Sequence, residues 1–344
     1  MTRCACFGEK EGLCEPEMTN TERGATTPAH AIKIFAGPGN PALAQAIAEN
    51  VGLPMGQMHY KQFADGENFL RFEESVRGND VYFIQPTCVP VDTNVMVLLA
   101  ALDALRRASA WRITPVIPYY GYARQEKKDR PREPITAKLI ADMLTIAGAH
   151  RVMCLDLHAD AIQGFFNIPV DHLTAQNLFT DYFLTKWADK MDDVVIVSPD
   201  EGRVKKVRKV ASVLKAPLAV GYKHHPDHMV SEVTHLAGDV KNKIPLIVED
   251  MITTGGSIIQ AVDALIAHGC RPEIHVAATH GILANNAVER LCSRPEIAEI
   301  IITDSVPLAP EKRHPKLTVL SVASLFGEAI YRSTHDLSIT SLFD

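Results

Sequence analysis

Short apolar runs alternate with amphipathic, helix-length segments from Ile32 to near the end of the chain, and few folds accept that order. A helix between two strands lets the second run parallel to the first, so repeated alternation builds parallel sheets with helices packed on their faces. In the first half the strand-like runs are Ile32 to Phe35, Val81 to Ile84, Ile113 to Ile117 and Val152 to Leu157. Helical spacing covers Pro41 to Val51, Thr93 to Ala108 and Ile135 to Ala147, the first opening on Asn40 as a cap ahead of Pro41. The second half repeats the scheme, with strands at Val194 to Val197, Leu218 to Val220, Leu246 to Val248, Ile274 to Ala277, Ile300 to Ile302 and Thr318 to Leu320. Its helices are expected near Ala175 to Asp189, Arg203 to Leu214 and Ser257 to His268. With 344 residues, 47% of them hydrophobic, the chain has apolar mass for two cores. The expected division is an N-terminal extension at 1–30, read as flexible, and α/β domains at 31–172 and 173–344, joined around Pro169 to Thr174.

In open sheets of this kind, ligands collect beyond the carboxyl ends of the strands. Three strand ends carry suggestive residues: LDLHA at Leu155 to Ala159, VSPDEG at Val197 to Gly202 and VEDMITTGGS at Val248 to Ser257. In the last, free N–H groups at a helix start and the hydroxyls of Thr253, Thr254 and Ser257 can surround a phosphate, while Gly255 and Gly256 allow close backbone approach. Glu249 and Asp250 precede the loop and suit the hydroxyls of a sugar. A TGGS turn alone is common; the strand before it, the acidic pair and the helix after it make a phosphorylated sugar the better reading. A lone His or Asp at a strand end is more often a satisfied turn residue, so the weight rests on three such ends in one chain.

The balance of 35 basic and 41 acidic side chains gives a net charge of −6, so any anionic ligand must be held by local positive groups. One such group is the stretch Ile117 to Lys138, which packs Arg124, Lys127, Lys128, Arg130 and Arg132 among Tyr119, Tyr120 and Tyr122. Cations interleaved with aromatics suit a nucleotide with its base and phosphates. Nucleic acid also fits the local charge, but the chain is acidic overall and lacks a second tract of similar density, so no nucleic-acid partner is expected. No apolar run approaches the roughly 20 residues that span a bilayer, and no basic-then-apolar leader opens the chain; no membrane partner and a cytoplasmic location are expected. Of the seven cysteines, Cys88, Cys154 and Cys270 lie in or beside apolar segments, as buried reduced thiols do. Cys4, Cys6 and Cys14 cluster near the N-terminus without a fourth ligand at metal-site spacing.

The VEDMITTGGS segment resembles the phosphoribosyl-pyrophosphate (PRPP) binding motif shared by phosphoribosyltransferases and ribose-phosphate pyrophosphokinases. Further strings decide between the two: FADGE at Phe63 to Glu67, ESVRG at Glu74 to Gly78, GYARQ at Gly121 to Gln125, DLHADAIQGFF at Asp156 to Phe166 and VSPD at Val197 to Asp200. Together they make the chain, from about Ala31 to Phe343, resemble the ribose-phosphate pyrophosphokinase family, whereas a phosphoribosyltransferase would share the sugar-phosphate motif alone. The resemblance implies two phosphoribosyltransferase-like doubly wound α/β domains with mainly parallel sheets, ATP on the N-terminal side and ribose 5-phosphate on the C-terminal side. It also implies transfer of the β,γ-diphosphoryl group of Mg-ATP to the anomeric hydroxyl of ribose 5-phosphate, giving AMP and PRPP, in a homo-oligomer, a hexamer built from dimers.

Position by position, the resemblance implies that Phe63 stacks on adenine and that Asp65 and Glu67, with Gly66 in the same turn, meet its edge from a neighbouring subunit. The plain alternative is a surface turn. Arg124 and Gln125 would hold the triphosphate, and His158 and Asp200 would anchor Mg2+ directly or through waters. Magnesium prefers oxygen, so His158 has the alternative of acting on the ATP phosphates. Ribose 5-phosphate would lie on Glu249, Asp250, Thr253, Thr254, Gly255, Gly256 and Ser257. A closing loop would bring Lys223 and His225, in YKHHP at Tyr222 to Pro226, over the transferred group as catalytic cations.

Four departures from the family pattern carry expectations of their own. His225 stands where an arginine is usual, so its charge titrates near pH 6.5 and turnover is expected to favour low pH. Thr253 replaces an aspartate and Glu249 the first of two aspartates. Glu201 and Arg203 alter a segment that is usually small and Gly-rich, where Arg203 either supplies positive charge or obstructs the sugar phosphate. These changes leave open a non-catalytic regulatory subunit that binds active paralogues. Ser75, Arg77 and Arg132 match the family's allosteric site, but Pro86 and Pro131 stand where serine is usual and offer neither hydroxyl nor N–H, so weakened phosphate activation and ADP inhibition are expected.

Overall fold

The apolar runs are strands of two sheets, and side chains along their central strands are buried on both faces, as parallel strands under helices require. The computed structural model describes residues 30–227 and 230–342, with side chains except at 222–227, 230–235 and 341. Expectations for residues 1–29 therefore lie outside the described residues. In the first half, β1 (Ile32–Ala36) leads through α1 (Pro41–Val51) to a hairpin of β2 (Met58–Gln62) and β3 (Asn68–Phe72). Then come β4 (Asp80–Ile84), α2 (Val91–Arg107), β5 (Arg112–Ile117), α3 (Thr136–Ala147), β6 (Val152–Leu155) and β7 (Val170–Leu173). Five of these strands form a parallel sheet in the order β1-β4-β5-β6-β7, beside the two-stranded β2-β3 ribbon.

The second half runs α4 (Gln176–Lys186), β8 (Val194–Ser198), α5 (Val204–Leu214), β9 (Leu218–Asp227), β10 (Val230–Ala237), β11 (Ile244–Ile252) and α6 (Gly256–Ala267). It continues with β12 (Ile274–Gly281), α7 (Ala287–Cys292), β13 (Ile297–Thr303), β14 (Leu317–Leu320) and α8 (Ala323–Thr334). Its seven strands are ordered β10-β9-β8-β11-β12-β13-β14, all neighbours parallel except the β9-β10 pair at one edge.

Alternation along each strand sorts the apolar side chains into three cores rather than the two expected from chain length. Val81 and Phe83 face one cluster with α2 and α3, while Tyr82 and Ile84 between them face another. That second cluster is shared: Leu43 and Ile47 of α1, Phe183 of α4, Val210 of α5 and Phe326 of α8 join residues of both sheets in it. A third packs β11 and β12 under α6 and α7. Each sheet has two apolar faces to cover, and the inner face of each is covered by helices common to both halves. Phe326 and Ile330 of α8 thus share one core with α1, and Tyr82 of β4 donates to Ser333 at 3.3 Å.

Strand boundaries follow local chemistry. The run expected at Val152 to Leu157 stops at Leu155 because Asp156 takes a positive φ of 36°, which turns the chain out of the sheet. The hairpin escaped sequence reading because MHYKQ and NFLRF are half exposed and carry as much polar as apolar character.

Candidate active site

The connection between β11 and α6 is three residues long, Thr253 to Gly255, and its brevity forces the backbone into the cleft. Gly255 caps α6 with φ 75°, and a Cβ there would come within 2.9 Å of the Leu291 side chain, so only glycine fits without a shift. No side chain caps α6, which leaves the N–H groups of its first turn, Gly256 to Ile258, for a ligand. Thr253 Cα is held from behind, since Ala284 N–H donates to the Thr253 carbonyl at 2.8 Å. Thr254 and Ser257 are exposed, and the whole run from Thr253 to Ser257 lines one cleft with Arg124, His158, Asp200, Arg203, Glu249 and Asp250.

Four of these side chains form a buried charged cluster. Arg203 Nε lies 2.7 Å from Glu249 Oε2, and its Nη2 lies 2.7 Å from Asp250 Oδ1. The second contact is charge to charge, because Oδ1 is buried and receives no aligned hydrogen bond. His158 Nδ1 lies 2.7 Å from the other oxygen of Asp250 and 3.4 Å from Arg203 Nη2. A carboxylate can only accept, so His158 Nδ1–H donates to Asp250 and does not accept from Arg203. Burial raises the Asp250 carboxyl, but the His158 hydrogen bond and the Arg203 charge outweigh it and hold the group below the usual carboxylate range. Burial likewise opposes the charge on Arg203, and Glu249 and Asp250 more than restore it, leaving the guanidinium above its ordinary value. Asp250 is thus held ionised, and the acidic pair arrives with Arg203 as its counter-ion.

A polar network behind the cleft ties the two sheets together. Asp156, at the end of β6, accepts from Thr174 Oγ1 at 2.9 Å, Ala175 N at 2.9 Å and Thr279 Oγ1, at the end of β12, at 2.7 Å. His280 is fully buried beside it, with Nδ1 2.9 Å from Ser305 Oγ and Nε2 3.3 Å from the Asp156 carbonyl. Burial holds His280 below its ordinary value, and His172, whose Nε2 accepts from Leu157 N–H at 2.8 Å, is shifted the same way for the same cause. This network fixes the turn that carries His158. Thr279 and His280 were missed in the sequence, although they end an apolar strand as the other site residues do.

Sequence reading proposed a wider set than the cleft contains. Of the five basic residues between Ile117 and Lys138, Arg124 alone lines it, while Lys127, Lys128, Arg130 and Arg132 are exposed elsewhere on the loop. The Gln125 amide oxygen accepts from Thr136 Oγ1 at 2.6 Å, which turns it toward α3. Phe63, Asp65, Gly66 and Glu67 form the tight turn of the β2-β3 hairpin and do not line the cleft; Phe63 N–H donates to the Glu67 carbonyl at 2.8 Å, and its ring is 43% exposed with Lys61 Nζ 4.5 Å from the ring centre. Lys223 and His225 lie on β9, opposite Val233 and near Glu232 of β10, and their side chains are outside the described ones. Among the described residues no three His, Cys, Asp or Glu side chains converge into a metal cage, and no helix is long and apolar enough to cross a membrane.

Comparison with known proteins meets the same residues. Residues 32–148 match the model of the N-terminal domain of ribose phosphate pyrophosphokinase, and residues 222–344 match that of the phosphoribosyl synthetase-associated domain. A ribose-phosphate pyrophosphokinase of Caldanaerobacter subterraneus subsp. tengcongensis is 51% identical over 314 residues, 91% of this chain and 98% of the relative. One from Fusobacterium nucleatum is 47% identical over 91% of this chain and 98% of its own length. The crystal structure of phosphoribosylpyrophosphate synthetase from Mycobacterium smegmatis superimposes with a TM-score of 0.84 at 43% identity, covering 89% of this chain and 99% of that one.

Proposed function

Because the chain belongs to the ribose-phosphate pyrophosphokinase family, we infer that it moves the β,γ-diphosphoryl group of ATP to the anomeric hydroxyl of ribose 5-phosphate, releasing AMP and forming PRPP. The observation that carries this reading in the molecule is the 2.7 Å contact between His158 of the first half and Asp250 of the second, at the mouth of a phosphate loop. A nucleotide side and a sugar side therefore meet in one cleft. The family relatives are named as enzymes, and nothing favours a purely regulatory chain.

The sugar side is the C-terminal half. The 5-phosphate lies on the N–H groups of α6 and on the hydroxyls of Thr253, Thr254 and Ser257, beside Gly255 and Gly256. Ribose hydroxyls donate to the Glu249 and Asp250 carboxylates, which line the cleft beside the loop. On the nucleotide side Arg124 binds the polyphosphate, with Gln125 next to it. Lys223 and His225 close from β9 and exclude water that would otherwise accept the diphosphoryl group.

Magnesium suits the donors present. His158 Nε2 and Asp200 give two positions toward one cleft without a protein cage, as expected of an ion that keeps waters and borrows phosphate oxygens. When bound, Mg2+ neutralises polyphosphate charge; the protein's part is to aim His158, through Asp250, at that position. The exposed turn Phe63 to Glu67 lies outside its own chain's cleft, which supports an adenine pocket completed by a second copy in a homo-oligomer. The experiment is to mix purified protein with Mg-ATP and ribose 5-phosphate and quantify adenine nucleotides: AMP appearing only with the sugar supports the reading, and ADP as the product overturns it.

A further inference from the structure

Arg203 lies in the cleft in contact with residues of both halves, and its side chain is only 14% exposed. Its Nε is spent on Glu249 on the sugar side, and its Nη2 rests between Asp250 and His158 on the nucleotide side. Nη1, with two further N–H groups, makes no hydrogen bond among the described residues, and the side chain lines the cleft.

Two readings compete, and magnitudes separate them. As a plug, Arg203 would have to leave both carboxylates when ribose binds. Removing one partner of a buried ion pair costs more than a neutral hydroxyl donating to a charged group returns. The guanidinium therefore stays, and the sugar uses the lone pairs it leaves open. A fixed guanidinium with a free N–H pair is an anion ligand that needs no reorganisation during the reaction.

We propose that Arg203 is a further substrate-binding residue of the transfer, presenting Nη1 to the oxygens of the migrating diphosphoryl group. The proposal rests on the diphosphoryl transfer inferred above. In that step the anomeric oxygen bonds to the β-phosphorus as the bond from that phosphorus to the bridging oxygen breaks. The electron pair leaves on AMP, and the hydroxyl proton passes to the Asp250 carboxylate. Charge spreads over the equatorial oxygens in between, in the cleft that Arg203 lines together with Arg124 and the Thr253 to Ser257 loop.

The test compares wild type, Arg203→Gln and Arg203→Lys in steady-state AMP formation. Arg203→Gln is expected to lower kcat about 100-fold with KM for ATP and ribose 5-phosphate within about threefold, and Arg203→Lys about tenfold. Added guanidinium ion should restore part of the turnover of Arg203→Gly while leaving its melting temperature unchanged, a combination that a merely structural role would not give. An unchanged kcat, or a lowered KM for ribose 5-phosphate in Arg203→Gln, overturns the proposal and makes the side chain an obstruction. If Arg203→Gln does not fold, Arg203→Lys decides, since it keeps the charge beside Glu249 and Asp250; there an unchanged kcat contradicts the idea. A wild type that forms no AMP would instead sink the functional reading, so the two failures are distinct.

Discussion

Two strand-to-helix connections meet at the cleft and, under the proposed function, bind anions in opposite ways. Between β11 and α6 the chain has only Thr253 to Gly255, and every residue from Thr253 to Ser257 lines the site. Between β5 and α3 it runs from Pro118 to Ile135 with five basic side chains, and Arg124 alone lines the site. A short loop binds by backbone geometry, so each residue is constrained. A long one binds by a side chain on a supported turn, so most of its residues are free to serve elsewhere. Glu133, for example, accepts the N–H groups of Asp129 and Arg130 at 2.9 Å each and braces the loop itself.

The contrast breaks first at Arg124. Arg124→Ala should lower kcat/KM for ATP by about 10²–10³, while Lys128→Ala on the same loop changes it less than about twofold. Equal losses at both positions would mean that the long loop acts as a diffuse cationic surface. Next comes Gly255→Ala, which combines a positive φ with a Cβ 2.9 Å from Leu291. It should cost about 1–2 kcal/mol of stability and raise KM for ribose 5-phosphate about tenfold. A melting temperature and KM both at wild-type values would show that the backbone there has slack. Thr254→Val, which removes a hydroxyl but leaves the backbone, should raise the same KM only about two- to tenfold. An effect larger than that of Gly255→Ala would transfer the binding from backbone to side chain.

The smallest effect concerns the network beneath both connections. His172 and His280 are held below the ordinary value of 6.5 by burial, so the folded protein binds fewer protons than the unfolded chain below that pH. Their contribution is complete above pH 6.5 and is lost as the pH falls, by about 1.4 kcal/mol per ring for each pH unit until the folded value is reached. Thermal denaturation should shift downward between pH 7.5 and 5.5. A midpoint that stays flat over that range would mean both rings take up protons in the folded state as readily as in the unfolded chain.

How much of this was legible in the sequence follows from the same contrast. The strand, loop and helix from β11 to α6, with Thr253 to Ser257 at a cleft, could be read almost residue by residue, because strand period, loop and helix period are contiguous and a short loop has few conformations. The two mainly parallel sheets were equally legible, since Val81 to Ile84 or Val194 to Val197 have no other use than a strand buried on both faces. The basic loop misled by its density: charge in sequence says nothing of which side chain turns inward. Helix α8 was not foreseen, and neither was the shared central core, because the partner of Phe326 is α1, almost the whole chain away. Arg203 stood out as a departure, but its 2.7 Å contacts with Glu249 and Asp250, on which the proposal for it rests, have no signal in the sequence. The network of Asp156, Thr279 and His280 combines residues that are unremarkable one at a time.

The account depends on one cleft, made by both halves, passing two phosphoryl groups as a unit. Phosphorus NMR of protein with Mg-ATP and ribose 5-phosphate follows that event directly. The β and γ signals of ATP should fade together while a sugar-linked diphosphate pair and an equal amount of AMP grow in. A γ signal that leaves alone, with ADP remaining, would contradict it.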